Sequence, residues 1–177
     1  MGSGPHRAGL TPSVRKDRPL REHPGSDPRM RVMAPTVFTI GYERRSPEEL
    51  VRGLTDAGVT LLADVRELPL SRRPGFSKTA LAATLGEAGI EYVHERALGN
   101  PKPYRDAWKG GDAAAGRAGY GAHIAGASSE AVDALARRVA EGGVCLLCVE
   151  HDAADCHRTL LAAALCERLG GLRVQHL

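Results

Sequence analysis

From residue 36 onward, short apolar runs typical of β-strands alternate with segments that begin and end like helices. The clearest helix start is at Ser46, which is placed to cap the first turn, with Pro47 at the first helical position and Glu49 completing a capping box. Strands that alternate with helices through short connections form parallel βαβ units. The sequence therefore predicts an α/β fold, with a small, mainly parallel, doubly wound sheet of about five strands flanked by helices.

The predicted elements follow one another closely. Apolar periodicity and turn residues predict strands over 36–40, 60–65, 91–94, 144–150 and 173–176, and helices over 46–58, 77–89, 129–141 and 155–170. Residues 99–127 show no clear periodicity and are predicted to form an irregular loop. Its aromatic residues Tyr104, Trp108 and Tyr120 either form a lid over a site or anchor the loop.

Residues 1–32 differ from the rest of the chain in composition. They are rich in Gly, Pro and Arg and hold seven Lys/Arg against three Asp/Glu, a net charge of +4, whereas residues 33–177 hold 17 against 18, a net charge of −1. We expect a disordered basic tail over 1–32 and a single α/β domain over 33–177. The tail is interpreted as a passive solvated segment; non-specific binding to phosphate backbones and a true start at Met33 are the alternatives.

The cellular compartment follows from what the chain lacks and from its cysteines. No stretch is long and apolar enough for a membrane helix, and the polar N-terminus has no apolar core of a secretory signal. Cys145, Cys148, Cys156 and Cys166 crowd into the last third of the chain, whereas a disulfide framework would spread them out. We expect free thiols, a cytoplasmic location and no membrane partner.

Polar side chains follow the predicted strands at the ends where a parallel sheet binds ligands. Gly41 and Tyr42 follow the first strand, Asp64 and Arg66 end the second, and Glu150 ends the fourth. This concentration of polar groups on one rim predicts a ligand site there. The residues expected to line one shared pocket are Asp64, Arg66, Glu150, Cys156 and Arg158.

The residues after the fourth strand are the most informative part of this rim. Cys156 is predicted to lie in the first turn of a helix capped by Asp155, where unpaired backbone N–H groups lower the pKa of a thiol and attract an anion. His157 and Arg158 add a proton-transfer group and a positive charge, so Cys156 is expected to be the most reactive thiol. The alternative is structural: Cys156 packs in the core, and Arg158 pairs with Glu150.

The cysteines suggest two further patterns, and neither predicts a cofactor. Cys145 and Cys148 are three positions apart in a predicted strand, so their side chains point to opposite faces of the sheet. Cys148, Glu150, Cys156 and His157 are chemically able to hold a metal, but their spacing matches no closed zinc pattern. We therefore expect no metal and no cofactor.

A basic segment lies between the second strand and the helix that follows it. Arg72, Arg73 and Lys78 surround a Pro-Gly turn, and Phe76 offers a ring for stacking. Such a loop is able to clamp a phosphate-bearing ligand or a nucleic-acid backbone. An ordinary solvated turn with Phe76 in the core fits the sequence equally well.

Five groups of residues within 36–177 form a specific combination. They are Thr39–Glu43 with Ser46, Leu62–Arg66, Ser71–Phe76, Tyr92 with Leu98 and Gly99, and Leu147–Glu150 with Cys156–Arg158. In this order they resemble the bacterial and archaeal family known as domain of unknown function 488. The resemblance implies a compact α/β domain whose motifs gather at one edge of the sheet, and it implies no particular reaction.

The sequence favours an enzyme, a hydrolase or transferase, that acts on an anionic, phosphate-bearing ligand such as a nucleotide or a nucleic-acid end. Glu150 is the predicted general acid or base, Asp64 a second carboxylate and Cys156 the nucleophile, with His157 beside it. Two such carboxylates also suit cleavage of a glycosidic bond. The predicted ligand-binding residues are Gly41, Tyr42, Arg66, Arg72, Arg73, Phe76 and Arg158.

The alternative function is a non-catalytic module that binds nucleic acid or senses thiol oxidation. In that hypothesis Cys156 is the sensor, and the loop that carries Arg72 and Arg73 contacts nucleic acid. The sequence leaves the oligomeric state open.

Removal of residues 1–32 is expected to leave thermal stability nearly unchanged, because the segment has little apolar surface to bury. The comparison is between the full chain and a chain that begins at Met33, with unfolding followed by circular dichroism. A fall of several degrees in the melting temperature of the shorter chain would contradict the expectation.

Overall fold

The structure is a computed structural model, and it describes residues 1–2 and 34–177. The tail predicted over 1–32 lies outside the described residues, except for its first two positions. Residues 34–177 form an α/β fold around a single parallel sheet. Within this described part, no helix is long and apolar enough to cross a bilayer. All four cysteines are free thiols.

The sheet has five strands, all parallel to their neighbours, in the order β3-β2-β4-β1-β5. The prediction of a small parallel sheet is therefore confirmed. The strands are β1 (Thr36–Gly41), β2 (Leu61–Asp64), β3 (Glu91–His94), β4 (Val144–Cys148) and β5 (Arg173–His176).

Six α-helices within residues 34–177 flank this sheet, and five of them bury side chains on its two faces. They are α1 (Pro47–Asp56), α2 (Lys78–Glu87), α3 (Lys102–Lys109), α4 (Ala113–Ala125), α5 (Ser129–Glu141) and α6 (Arg158–Leu169). The buried side chains of α1 and α2 pack on one face, and those of α4, α5 and α6 pack on the other. The predicted capping box of α1 is present, because Ser46 Oγ accepts from Glu49 N and Glu49 Oε2 accepts from Ser46 N.

The order in which strands are added to the sheet changes direction after β3, and the neighbouring strands β2 and β4 lie at this change. The chain first lays down β1, β2 and β3 with helices on one face, then crosses back to insert β4 between β2 and β1, with helices on the other face. The segments that follow β2 and β4 therefore leave towards opposite faces. Neighbouring strands with this arrangement open a crevice at their carboxyl ends, which is where doubly wound folds bind ligands.

Residues 99–127 are not an irregular loop, contrary to the prediction. They contain α3 and α4, which pack closely against each other. Gly116 and Gly119 of α4 allow this approach, because a Cβ on either would lie under 3 Å from atoms of Tyr104. Glycine lowers intrinsic helix propensity and obscures the helical pattern, while tertiary packing stabilises the helices that the isolated sequence does not favour.

We expect Gly116→Ala to lower the free energy of unfolding by about 1–2 kcal/mol, because overpacking against backbone costs about 1–3 kcal/mol and alanine recovers at most about 1 kcal/mol in a helix. A Cβ at Gly116 would lie 2.7 Å from Tyr104 O and 2.8 Å from Trp108 N. Gly121→Ala in the same helix is the control, since nothing lies within 4 Å of its Cβ position. Equal effects of the two substitutions in urea denaturation would contradict the close α3–α4 contact.

Candidate functional site

A cavity of about 440 Å³ opens at the carboxyl ends of β2 and β4, in the crevice where the chain reverses direction. Its walls come from residues 66–68 after β2, from residues 148–157 between β4 and α6, and from residues 100–109 at and before α3. A volume of this size fits a small-molecule ligand. The topology thus places three separate segments of the chain around one site.

Arg66 lines the cavity and is held from behind by the fully buried Asp64. Arg66 Nε and Nη2 donate to the two carboxylate oxygens of Asp64 at 2.8 and 2.5 Å, and Nη1 donates to Phe76 O at 2.9 Å. Burial acts to lower the pKa of Arg66, but the hydrogen bonds and charge of Asp64 raise it above its ordinary value. Tyr92 also donates to Asp64, at 2.6 Å. Asp64 therefore positions Arg66 and does not itself face the cavity.

Glu150 forms part of the cavity wall just beyond β4, with about a quarter of its side chain (27%) exposed. Its Oε2 accepts from Cys148 Sγ at 3.3 Å, and its Oε1 lies 3.8 Å from Lys109 Nζ. Burial acts to raise the pKa of Glu150, but hydrogen bonds from its own backbone N–H and from the thiols of Cys156 and Cys148 hold it below its ordinary value. The side chain is a carboxylate with direct access to the cavity.

Cys148, Cys156 and His157 form a compact buried group beneath Glu150. His157 Nδ1 lies 3.7 Å from Cys148 Sγ and 3.8 Å from Cys156 Sγ. The opposite ring nitrogen, Nε2, donates to Val65 O at 2.9 Å, and the ring of Tyr120 packs edge-on against the imidazole at 4.9 Å. These contacts fix both the position and the orientation of the imidazole.

The predicted helix start at Asp155 is wrong, which removes the premise on which Cys156 was expected to be activated. Helix α6 begins at Arg158 with His157 at its N-cap, and Asp155 is exposed and caps nothing. Cys156 lies in the preceding turn, where its N–H donates to Ala153 O at 3.2 Å and its side chain is only 1% exposed. Burial, followed by the neighbouring Cys148, raises the pKa of Cys156. The thiol therefore lacks the dipole and exposure that a reactive cysteine needs.

Arg158 and Gly41 act on the backbone of Glu150 and do not line the cavity. The guanidinium of Arg158 is 1% exposed and donates to Glu150 O at 2.6 Å and to His151 O at 3.0 Å. Gly41 approaches the same segment so closely that a Cβ would lie 1.8 Å from Glu150 O. Arg158 and Gly41 were expected to contact the ligand, but in the structure they stabilise the turn that carries Glu150.

The basic segment after β2 packs on the other side of Arg66. Phe76 is buried and stacks on Tyr42 with ring centroids 4.5 Å apart. Arg73 Nη1 donates to Tyr42 O at 2.6 Å, while Arg72 is exposed. Phe76 has no free face for a base, and neither Tyr42 nor Phe76 lines the cavity. This segment matches the alternative of a solvated turn with Phe76 in the core.

The cavity also contains Asn100, Arg105 and Lys109, which the sequence did not identify because they lie in the segment interpreted as a loop, and Trp108, which was considered there as part of a lid. Arg105 Nη1 donates to Glu67 Oε2 at 2.6 Å and to Asn100 O at 3.0 Å. Asn100 is 6% exposed, and its Oδ1 has no hydrogen-bond partner among the described residues. Trp108 and Lys109 complete this wall. Apolar residues at Tyr104, Ala107 and Trp108 have helical spacing and are the signal that indicates α3.

The five residues expected to share one pocket thus divide into three positions. Arg66 and Glu150 face the cavity. Asp64 lies behind Arg66, and Cys156 lies behind His157, each in direct contact. Arg158 lies on the far side of the Glu150 backbone. All five are therefore neighbours at one end of the sheet, but only Glu150 offers a charged group to a ligand, because Arg66 is 3% exposed and its guanidinium donates to Asp64 and Phe76 O.

The fold and the cavity define a doubly wound α/β domain with a ligand-sized site at the carboxyl ends of β2 and β4. Within that class, the chain belongs to the family described as Domain of unknown function DUF488, whose family model matches residues 46–165. The matched range contains every residue of the cavity but not Thr39–Glu43, the first of the motifs on which the resemblance rested. No curated protein and no solved structure matches the chain.

We expect Asp64→Asn to lower the free energy of unfolding by about 3 kcal/mol, because it leaves the charge of buried Arg66 without its counter-ion. The two side chains are 0% and 3% exposed. Glu67→Gln is the matched control: its partner Arg105 is 33% exposed, so the loss is expected to stay below about 1 kcal/mol. Urea denaturation measures both, and a similar small loss in the two variants would contradict the positioning role of Asp64.

Proposed function

We propose that this chain is an enzyme, a hydrolase or transferase, that acts in the cavity on an anionic, phosphate-bearing ligand such as a nucleotide or a nucleic-acid end. The observation that carries the proposal is that four suitable groups line the same cavity. They are the carboxylate of Glu150, the cations of Arg105 and Lys109, and the indole of Trp108. Proton transfer, phosphate binding and ring stacking each need one of these groups.

The phosphate of such a ligand would bind on the α3 side of the cavity. The hydrogen bonds that Arg105 makes to described residues use Nη1 alone, so its Nη2 can donate to a phosphate oxygen. Lys109 is 66% exposed and supplies a second cation that is free to move towards the ligand. The charge of Arg66 is already paired with Asp64, so Arg66 contributes mainly to the rigidity of this wall.

The rest of the ligand would lie against the apolar part of the cavity. Trp108, Leu68 and Val149 line it. The guanidinium of Arg117 covers one face of the Trp108 ring, 4.5 Å from its centroid, so a planar ring of the ligand would lie against the other face of the indole or against Leu68 and Val149. Asn100 also lines the cavity, and its buried Oδ1, which has no hydrogen-bond partner among the described residues, would accept from a ligand N–H that reaches it. A buried acceptor without a partner costs about 1–3 kcal/mol, so a ligand that satisfies it gains affinity.

Glu150 is the group proposed to move the proton in the reaction. Gly41 and Arg158 hold its backbone, so the carboxylate has a defined place on the wall. In a hydrolysis it would take a proton from the attacking water, and in a transfer it would take one from the acceptor hydroxyl. Cys156 is not retained as the nucleophile, because its sulfur is buried behind His157.

The competing hypothesis, a non-catalytic nucleic-acid-binding or thiol-sensing module, is less well supported. A base-stacking role needs an exposed ring at Phe76, which is buried, and a phosphate clamp needs a free guanidinium at Arg73, which donates to Tyr42 O and Arg45 O. A sensor thiol needs access to oxidant, which the burial of Cys156 restricts. Turnover is the observation that separates the two hypotheses.

The test begins with a screen of nucleosides, nucleoside mono- and diphosphates and short oligonucleotides. Binding is measured by the rise in melting temperature and by calorimetry, and conversion by chromatography with mass spectrometry. We expect a phosphorylated nucleoside to bind more tightly than its unphosphorylated counterpart and to be converted to product. Binding without conversion would favour the non-catalytic module.

With the converted ligand, Glu150→Gln is expected to lower kcat by at least about 100-fold, the range that general acid–base catalysis contributes. Its Kd for the ligand is expected to stay within a few-fold of the wild-type value, because the phosphate contacts remain. Glu141→Gln, on an exposed residue at the end of α5, is the control and is expected to leave both constants unchanged. A wild-type kcat in Glu150→Gln would contradict the proposed role.

A further inference from the structure

The buried group formed by Cys148, Cys156 and His157 is not used by the proposed reaction. One ligand-type atom from each of these three residues lies within 4.8 Å of the other two. Two sulfurs and an imidazole nitrogen converge on one point, which packing alone does not require. Cys145, a thiol just as deeply buried, lies on the opposite face of the sheet, with no such neighbours in its core cluster.

The distances in this group match those of a tetrahedral zinc site. Zinc lies about 2.3 Å from sulfur and about 2.0–2.1 Å from nitrogen, so at the tetrahedral angle a sulfur and a nitrogen ligand are about 3.6 Å apart. The two observed sulfur–nitrogen distances, from His157 Nδ1 to Cys148 Sγ and to Cys156 Sγ, are 3.7 and 3.8 Å. The two sulfur–nitrogen pairs therefore already have the spacing of a tetrahedral site, and the two sulfurs lie within 4.8 Å of each other, against about 3.8 Å in such a site.

The hydrogen bond of His157 to the backbone gives the imidazole the tautomer that a metal requires. Val65 O can only accept, so Nε2 of His157 carries the proton in their 2.9 Å contact. In the neutral ring, Nδ1 then has a free lone pair, and it is this atom that faces the two sulfurs. A backbone carbonyl is one of the usual outer-shell partners of a metal-binding histidine, together with carboxylates and water.

From these contacts we propose that Cys148, Cys156 and His157 bind a zinc ion at the base of the cavity. The two thiols release their protons to solvent on binding, and the two thiolates balance the charge of the divalent ion. Cys148 and His157 also line the cavity, so an ion held by them would lie next to it, with room for a fourth ligand from that side. Glu150, whose Oε2 lies 3.3 Å from Cys148 Sγ, is close enough to accept from a water bound to such an ion, which leaves its carboxylate outside the set of zinc ligands.

The zinc site is independent of the proposed function, because none of its three ligands takes part in phosphate binding or in the proton transfer assigned to Glu150. A protein that binds zinc but shows no turnover would contradict only the proposed function, and an enzyme that binds no zinc would contradict only the zinc site. Three protein ligands with an open position on a cavity are typical of catalytic zinc sites, where the ion polarises a bound water or a ligand oxygen.

The full chain is expressed in zinc-supplemented medium, and the metal content of the purified protein is measured by inductively coupled plasma mass spectrometry. We expect about one zinc per chain in the wild-type protein, the stoichiometry of a mononuclear site. Cys156→Ala is expected to lose most of it. Cys145→Ala is the matched control, because Cys145 is 0% and Cys156 1% exposed, and it is expected to keep the metal. Circular dichroism establishes that both variants are folded.

A second measurement does not depend on any variant. The wild-type protein is stripped with a chelator, shown to remain folded and titrated with cobalt(II), a spectroscopic substitute for zinc. We expect visible bands typical of tetrahedral coordination and near-ultraviolet charge-transfer bands from thiolate, both saturating at one equivalent. The absence of stoichiometric zinc and of thiolate bands would overturn the proposal, and so would equal zinc retention by folded Cys156→Ala or a Cys148–Cys156 disulfide in the purified protein.

Discussion

The fully buried guanidinium of Arg158 connects the parts of the site that β4 and α6 supply. Arg158 is the first residue of α6, and it reaches back to the carbonyl oxygens of Glu150 and His151 at the end of β4. The turn between them is therefore closed on itself, with Gly41 of the neighbouring strand packed against it. Without this contact, neither the carboxylate of Glu150 nor the turn that carries Cys156 would have a defined position over the sheet.

The charged residues around the cavity form ion pairs, and the more deeply a pair is buried, the more costly it is to disrupt. Asp64 and Arg66 are buried and joined by two hydrogen bonds, so their geometry is rigid and costly to disturb. Glu67 with Arg105 is half-exposed, and Lys109 near Glu150 is mostly exposed and 3.8 Å away. A ligand anion therefore meets a rigid wall after β2 and adaptable cations on α3, where rearranging a pair costs little.

Much of the fold could be predicted because its signals are local. The capping box at Ser46 and the apolar run of β4 each depend on residues close together in the chain, and the structure has α1 and β4 at these places. The end of β4 also shows the predicted alternation, since Cys145 and Cys148 lie in different core clusters. Helix α4 was missed because its glycines, which lower helix propensity, permit close contact with α3, and no local pattern records that contact. Helix α3 has no glycine, and the spacing of Tyr104, Ala107 and Trp108 was its local signal.

The sequence by itself determined the parallel α/β fold, its family and the end of the sheet at which Arg66 and Glu150 meet, because strand–helix alternation and strand-end residues are properties of the chain order. Only the tertiary structure decided which of these polar side chains can contact a ligand in the cavity. It turned Arg158 inward, buried Cys156 and brought the wall of α3 over β2 and β4. The tautomer of His157 likewise depends on a carbonyl of Val65, 92 positions away in the chain, and such a contact exists only when the sheet has formed.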